Sequence, residues 1–193
     1  MRHAVVRELC ENVASPLSQL FKQPIPDLVW LGHPACDDVS MVGGKVASLS
    51  RLAAGYRVPP GFCVTTAVLD QWEEGSAPET PRRHVREALA GAYLALGERC
   101  GAHDPRVAVR SSAVDEDGRS ASFAGQYDTF LNVSGIDGVI EAVGRCRATL
   151  QSERVIEYRR NVGLPAADNI RLAVLVQQLV PSDVSAVMFT ANP

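Results

Sequence analysis

From Arg82 to Cys100 the apolar residues Val85, Ala88, Leu89, Ala92, Tyr93 and Leu96 recur three and four positions apart. That spacing places them on one stripe of an α-helix, and such a stripe needs an apolar layer to cover it. Short β-type runs supply the layer. They fall at residues 28–31, 62–64, 107–109, 126–133, 171–180 and 185–190, the last two joined hairpin-fashion through Pro181-Ser182-Asp183. Further helices are expected over 45–54, closed by Gly55, over 136–150 and over 152–162. A shorter one, capped by Thr65 or Thr66, carries Trp72. The polar stretch 111–122 reads as a loop. The fold class is α+β, with a mixed or antiparallel sheet flanked by helices.

The 193 residues suffice for one ordinary domain or two small lobes, and 46% hydrophobic with 21% charged residues excludes a disordered, collagen-like or coiled-coil chain. The net charge is −3 with no run of like charges, so nucleic acid is not an expected partner. The apolar stretch 172–176 is far short of the roughly 20 residues that span a bilayer, so neither is a membrane. Arg7, Glu8 and Glu11 interrupt what would be a leader's apolar core. Cysteines 10, 36, 63, 100 and 146 are odd in number and evenly spread, which suits free thiols in a reducing cytoplasm. Cys100 and His103 have ligand-like spacing without a second pair, so no metal site is assigned. Residues 1–28, where Val6, Leu9, Val13, Leu17 and Leu20 follow helical spacing, form an N-terminal helical appendage; the remainder, 29–193, is the principal unit.

Three segments carry chemistry. In Val42-Gly43-Gly44-Lys45 two glycines allow close backbone approach, a helix start offers N–H groups, and Lys45 adds a charge, which together suit a phosphate. A turn with a surface lysine explains the same residues. In Val107-Ala108-Val109-Arg110-Ser111-Ser112 a buried strand delivers an arginine fork and two hydroxyls at its C-terminal end. Pairing of Arg110 with Asp115, Glu116 or Asp117 is the alternative. In the segment 121–130, Gly125 can expose N–H groups to an anion and Thr129 can donate a hydroxyl; the bland reading is a tight turn into an edge strand.

Together, VGGKVASLSRL, GYRVPPGFCVTT, VAVRSSAVDEDGRSASFAGQYDTFLNV, CRATLQSERVIEYRR and VLVQQLVPSDVSAVMFTANP resemble, in this order, the N-terminal ATP-binding region of the phosphoenolpyruvate synthase, pyruvate phosphate dikinase and rifamycin phosphotransferase family. The resemblance covers roughly residues 28–193. It implies the first lobe of an ATP-grasp-type nucleotide-binding domain, with the second lobe absent from this sequence. It also implies phosphate binding by Lys45 and Arg110, a loop over the nucleotide containing Gly125 and Thr129, and an adenine-side hinge at Gln177. Leu179 and Ala186 replace a methionine and a glycine usual in the family.

The implied function is the ATP-binding portion of a dikinase-type phosphotransferase. It passes phosphate from ATP to a carrier histidine on another domain, in cis or in trans, and then to pyruvate or another small acceptor. None of His3, His33, His84 or His103 stands in the carrier motif, and the ligands of the Mg2+ that accompanies ATP are expected outside this chain. From a different class, a non-catalytic or split nucleotide-binding module that completes or regulates a partner protein fits the same residues.

Overall fold

The computed structural model describes residues 28–72, 81–114, 128–161 and 171–186. In chain order the elements are β1 (Leu28–Trp30), a 3-10 turn (Pro34–Asp37), α1 (Val39–Leu52), β2 (Gly61–Val64), α2 (Thr66–Asp70), α3 (Arg83–Cys100), β3 (Val107–Ala113), β4 (Thr129–Val133), α4 (Ile136–Ala148), a 3-10 turn (Thr149–Gln151), α5 (Glu153–Asn161) and β5 (Leu172–Gln178). The five strands form one sheet in the order β1-β2-β5-β3-β4, and every neighbouring pair is antiparallel. Of the two sheet types left open by the sequence, the structure has the antiparallel one.

β5 is central, and its run Leu-Ala-Val-Leu-Val is buried on both faces. On one face Phe62, Val64, Val107, Val109, Val174 and Val176 meet the stripe of α3, where Val85, Leu89, Tyr93 and Leu96 are buried, and the inner side of α4. Each large side chain so buried contributes about 1.5–3 kcal/mol. On the other face Val29, Cys63, Ala173 and Leu175 meet Val42, Val46 and Ala47 of α1. Arg99 at the end of α3 lies 3.7 Å over the Trp30 ring, which in turn meets Phe62 edge-on.

Several boundaries differ from the sequence expectation, for local reasons. The helix expected from Lys45 begins at Val39, because the Asp38 carboxylate accepts Ser40 N–H at 2.9 Å and caps it. It breaks at Gly43 (φ 76°, ψ 163°) and resumes. The stretch from Ser111 is strand rather than loop up to Ala113: Ser111, Ser112 and Ala113 pair with Val174, Ala173 and Leu172 and are buried. Both hydroxyls are occupied, Ser111 Oγ donating to the Asp128 carbonyl at 3.4 Å and Ser112 Oγ accepting from Val46 N–H at 3.2 Å. Thr65 is the N-cap of α2 without a side-chain capping bond, and Trp72 is fully buried just past that helix. Leu28 belongs to β1. The rest of the appendage lies outside the described residues, as do Gly125 and positions 187–190 of the last expected strand, while Ser185 and Ala186 are not in a strand.

Cys146 on α4 is fully buried, and burial, the largest influence, pushes its thiol from 9.0 up to about 11; a hydrogen bond from Ser111 opposes the shift. The folded state thus holds its proton more tightly than the unfolded chain. Stability is intact below about pH 9 and falls between about pH 9 and 11, by on the order of 3 kcal/mol for a two-unit shift. Urea midpoints at pH 8 and pH 10.5 check this. Cys146→Ala should reduce the difference, leaving the share due to the buried Cys63, whereas an unchanged pH slope in that variant would exclude Cys146 as a source.

Candidate phosphate-binding site

β3 alternates its side chains, sending Val107, Val109, Ser111 and Ala113 toward α3 and α4, and Ala108, Arg110 and Ser112 toward the face on which α1 lies. Registers extend that second face. Arg110 stands opposite Thr129 on β4 and Leu175 on β5, and Ala108 stands opposite Gln177. Directly paired residues point to the same side, so Arg110, Thr129 and Gln177 share a face. Arg110 borders the apolar patch that α1 covers, since its β5 partner Leu175 belongs to that patch.

Lys45 approaches from α1. Its Nζ donates to the Ser111 carbonyl at 2.9 Å, one residue along the strand from Arg110. The helix break at Gly43 makes this reach possible. A Cβ there would overlap the Ser112 carbonyl oxygen and hydroxyl and come within 2.6 Å of its carbonyl carbon, so only glycine lets α1 settle on β3. The first N–H groups after such a break are those a phosphate would use, and one of them, Val46 N–H, is already held by Ser112 Oγ. Gly43 therefore serves an internal close approach, which its reading as a ligand-facing glycine did not foresee.

Arg110 is half-buried. Its Nε has no contact with water and finds no acceptor among the described residues. A desolvated donor left unmatched costs roughly 1–3 kcal/mol, and an anion above the sheet would relieve that cost. Thr129 is exposed on edge strand β4, beside a polar groove of about 490 Å3 whose lining includes Asn132, Glu141 and Arg145. A second groove of the same volume, along Leu94, Gly97, Glu98 and His103 at the C-terminal end of α3, contains none of these residues.

Gln177 is buried, and its Nε2 donates to the Pro59 carbonyl at 3.0 Å. The N–H groups of Gln178 and Leu179 donate to the Pro60 and Arg106 carbonyls, both at 2.9 Å. The Val58-Pro59-Pro60-Gly61 turn is thus fixed against the end of β5, and the Gln177 amide has an internal partner. Sequence reasoning took Ser112 for a hydroxyl offered to a ligand, whereas it holds α1, and it missed Asp128, whose only trace was membership in a quoted motif. Among the described residues no three His, Cys, Asp or Glu side chains gather as a metal cage, and no helix is long and apolar enough to cross a membrane.

Four of the expected site residues are described: Arg110, Thr129 and Gln177 on one sheet face and Lys45 reaching β3 from α1, with the fifth, Gly125, outside the described residues. A family model described as the pyruvate phosphate dikinase AMP/ATP-binding domain matches residues 76–193. The phosphoenolpyruvate synthase of Aeropyrum pernix is 36% identical over 200 residues, covering 86% of this chain and 24% of that protein. The probable phosphoenolpyruvate synthase of Methanocaldococcus jannaschii is 36% identical, covering 86% and 17%. The rifampicin phosphotransferase of Streptomyces sviceus is 40% identical over 185 residues, covering 80% and 21%. The chain spans about a quarter or less of the length of these relatives. With the α+β fold that the motifs implied and a family model matched over well over half its length, the chain belongs to the pyruvate phosphate dikinase AMP/ATP-binding domain family.

Proposed function

We propose that this chain is the ATP-binding portion of a dikinase-type phosphotransferase, with the triphosphate lying on the sheet face beside Lys45 and Arg110. The observation that carries the reading is the buried Arg110 Nε without an acceptor among the described residues, one strand position from the carbonyl that holds Lys45 Nζ. Two placed cations neutralise phosphate charge, and neutralisation with positioning is most of what phosphoryl transfer asks of a protein. In this reading Lys45 leaves the Ser111 carbonyl for a phosphate oxygen, and Arg110 receives a second oxygen on its fork. Thr129 donates its hydroxyl from β4, Gly125 contributes backbone N–H groups, and the region of Gln177 borders the adenine.

The acceptor is a carrier histidine on another domain. It takes the two terminal phosphates with release of AMP, loses the outer one to water or inorganic phosphate, and then hands the remaining phosphoryl group to pyruvate or another small molecule. Mg2+ supplies charge neutralisation when bound to ATP. The described residues around Lys45 and Arg110 form no carboxylate cluster, so its ligands are assigned to residues beyond this set. Free thiols at Cys36, Cys63, Cys100 and Cys146 suit a reducing cytoplasm.

Full-length protein incubated with labelled ATP and Mg2+ should release AMP and retain acid-labile label on histidine. Formation of ADP as the sole nucleotide product would overturn the dikinase assignment. Calorimetric ATP binding without turnover, in the presence of pyruvate and phosphate, would instead identify a nucleotide-binding module.

A further inference from the structure

Asp128 immediately precedes Thr129 and, by strand alternation, faces the opposite side of the sheet. Three elements converge on it. Its Oδ2 accepts Thr149 Oγ1 at 2.8 Å from the 3-10 turn, its Oδ1 accepts Arg154 Nη2 at 3.1 Å from α5, and its carbonyl accepts Ser111 Oγ at 3.4 Å from β3. Thr149 is buried, and its hydroxyl also lies 3.1 Å from the Arg145 carbonyl, so the turn that holds Asp128 is itself held by α4.

This concentration answers a weakness in β4. Among the described residues it is an edge strand with β3 as its one neighbour in the sheet, and the register shifts between the Val107 and Val109 pairings, where Asn132 takes a left-handed φ of 61°. Only the pairs Val109↔Phe130 and Arg110↔Thr129 lie before the shift. Two ladder positions fix a strand end loosely. A side chain anchored to the helical layer beneath can fix it well.

We propose that Asp128 is a positioning residue, which clamps the start of β4 to α5 and the Thr149 turn so that the Thr129 hydroxyl stands beside Arg110, where it meets the β- and γ-phosphates of ATP. The inference rests on the proposed function, because it needs Thr129 to face the phosphates. Asparagine keeps both contacts only by donating its NH2 to Thr149 Oγ1, whose proton then goes to the Arg145 carbonyl, and it loses the charge that strengthens the bond from Arg154. A displacement of a contact group by a fraction of an ångström is felt in binding, and it is felt most by the phosphates that group touches.

In full-length protein, Asp128→Asn should weaken ATP binding about five- to tenfold by calorimetry while AMP, which lacks the outer phosphates, keeps its affinity within about twofold. Arg154→Gln, at an exposed site that leaves folding intact, should move ATP affinity in the same direction by about two- to threefold. In a Thr129→Ala background, Asp128→Asn should add less than a twofold loss, because the hydroxyl it positions is gone. Equal losses for ATP and AMP, no loss in either variant, or full additivity with Thr129→Ala would each overturn the role. Arg110→Met measured alongside separates the two ideas. If it abolishes ATP binding while Asp128→Asn is silent, only the clamp fails, and if both are silent, the phosphate site itself is wrong.

Discussion

Gly43→Ala is expected to lower the melting temperature by about 10 °C and to weaken ATP binding at least tenfold, although the substitution adds a single methyl group. Two independent costs combine. The backbone at φ 76° and ψ 163° lies in a region that residues with a Cβ essentially do not adopt, at about 1–3 kcal/mol. The new methyl also meets the backbone of Ser112, which cannot rotate away as a side-chain end could. Overpacking of this sort adds about 1–3 kcal/mol. A sum of roughly 2–6 kcal/mol is a large part of an ordinary domain's stability. Binding suffers because relief of the clash moves α1 off β3, which separates Val46 N–H from Ser112 Oγ and withdraws Lys45 from the strand end. Thermal denaturation followed by tryptophan fluorescence, with Trp72 as a buried reporter, measures the first effect, and ATP titration the second. Gly43→Ala with wild-type stability would show that α1 approaches β3 less closely than described here.

The same glycine shows how far the sequence could be read. Its neighbourhood allowed a close backbone approach, although a turn with a surface lysine explained the same residues. Which atoms approach was not legible: the partner is Ser112, almost seventy residues away, and long-range partners leave no local trace. The serines of β3 were misread for a related reason. Polar residues after Val109 resemble the start of a loop, yet pairing with β5 buries them once their hydroxyls find Asp128 and Val46. By contrast α3 was legible almost to the residue, because an amphipathic stripe closed by Gly101 in the left-handed region is determined by local chemistry. Gln177 falls between these cases. Its strand was evident from β-branched composition, whereas the Pro59 carbonyl that holds its amide comes from a turn 118 residues earlier. Arg110, Thr129 and Gln177 are brought to one face by register, which composition does not encode but motif order implied.

Arg110→Met should separate stability from function more sharply than any other substitution at this site. Methionine keeps the length and apolar stem of arginine and removes the buried donor, so the protein loses an unmatched Nε rather than a made hydrogen bond. Removal of a desolvated, unpartnered polar group leaves stability unchanged or raises it by up to about 1–3 kcal/mol. Catalysis moves the other way. A fixed cation aimed at developing phosphate charge in a partly buried site is worth about 2.7–4 kcal/mol, so kcat/KM for ATP should fall about 10²- to 10³-fold in the full-length enzyme. Arg110→Lys should recover part of this loss, since it restores charge without the two-pronged fork. A melting temperature at or above wild type together with a hundredfold loss of kcat/KM is the signature of a residue kept for a ligand. Had Arg110 instead been retained for an ion pair within the fold, as pairing with an acidic neighbour in the following segment would require, the same substitution would lower the melting temperature and spare turnover. The two outcomes have opposite signs in both measurements, so one pair of assays on one variant decides between them.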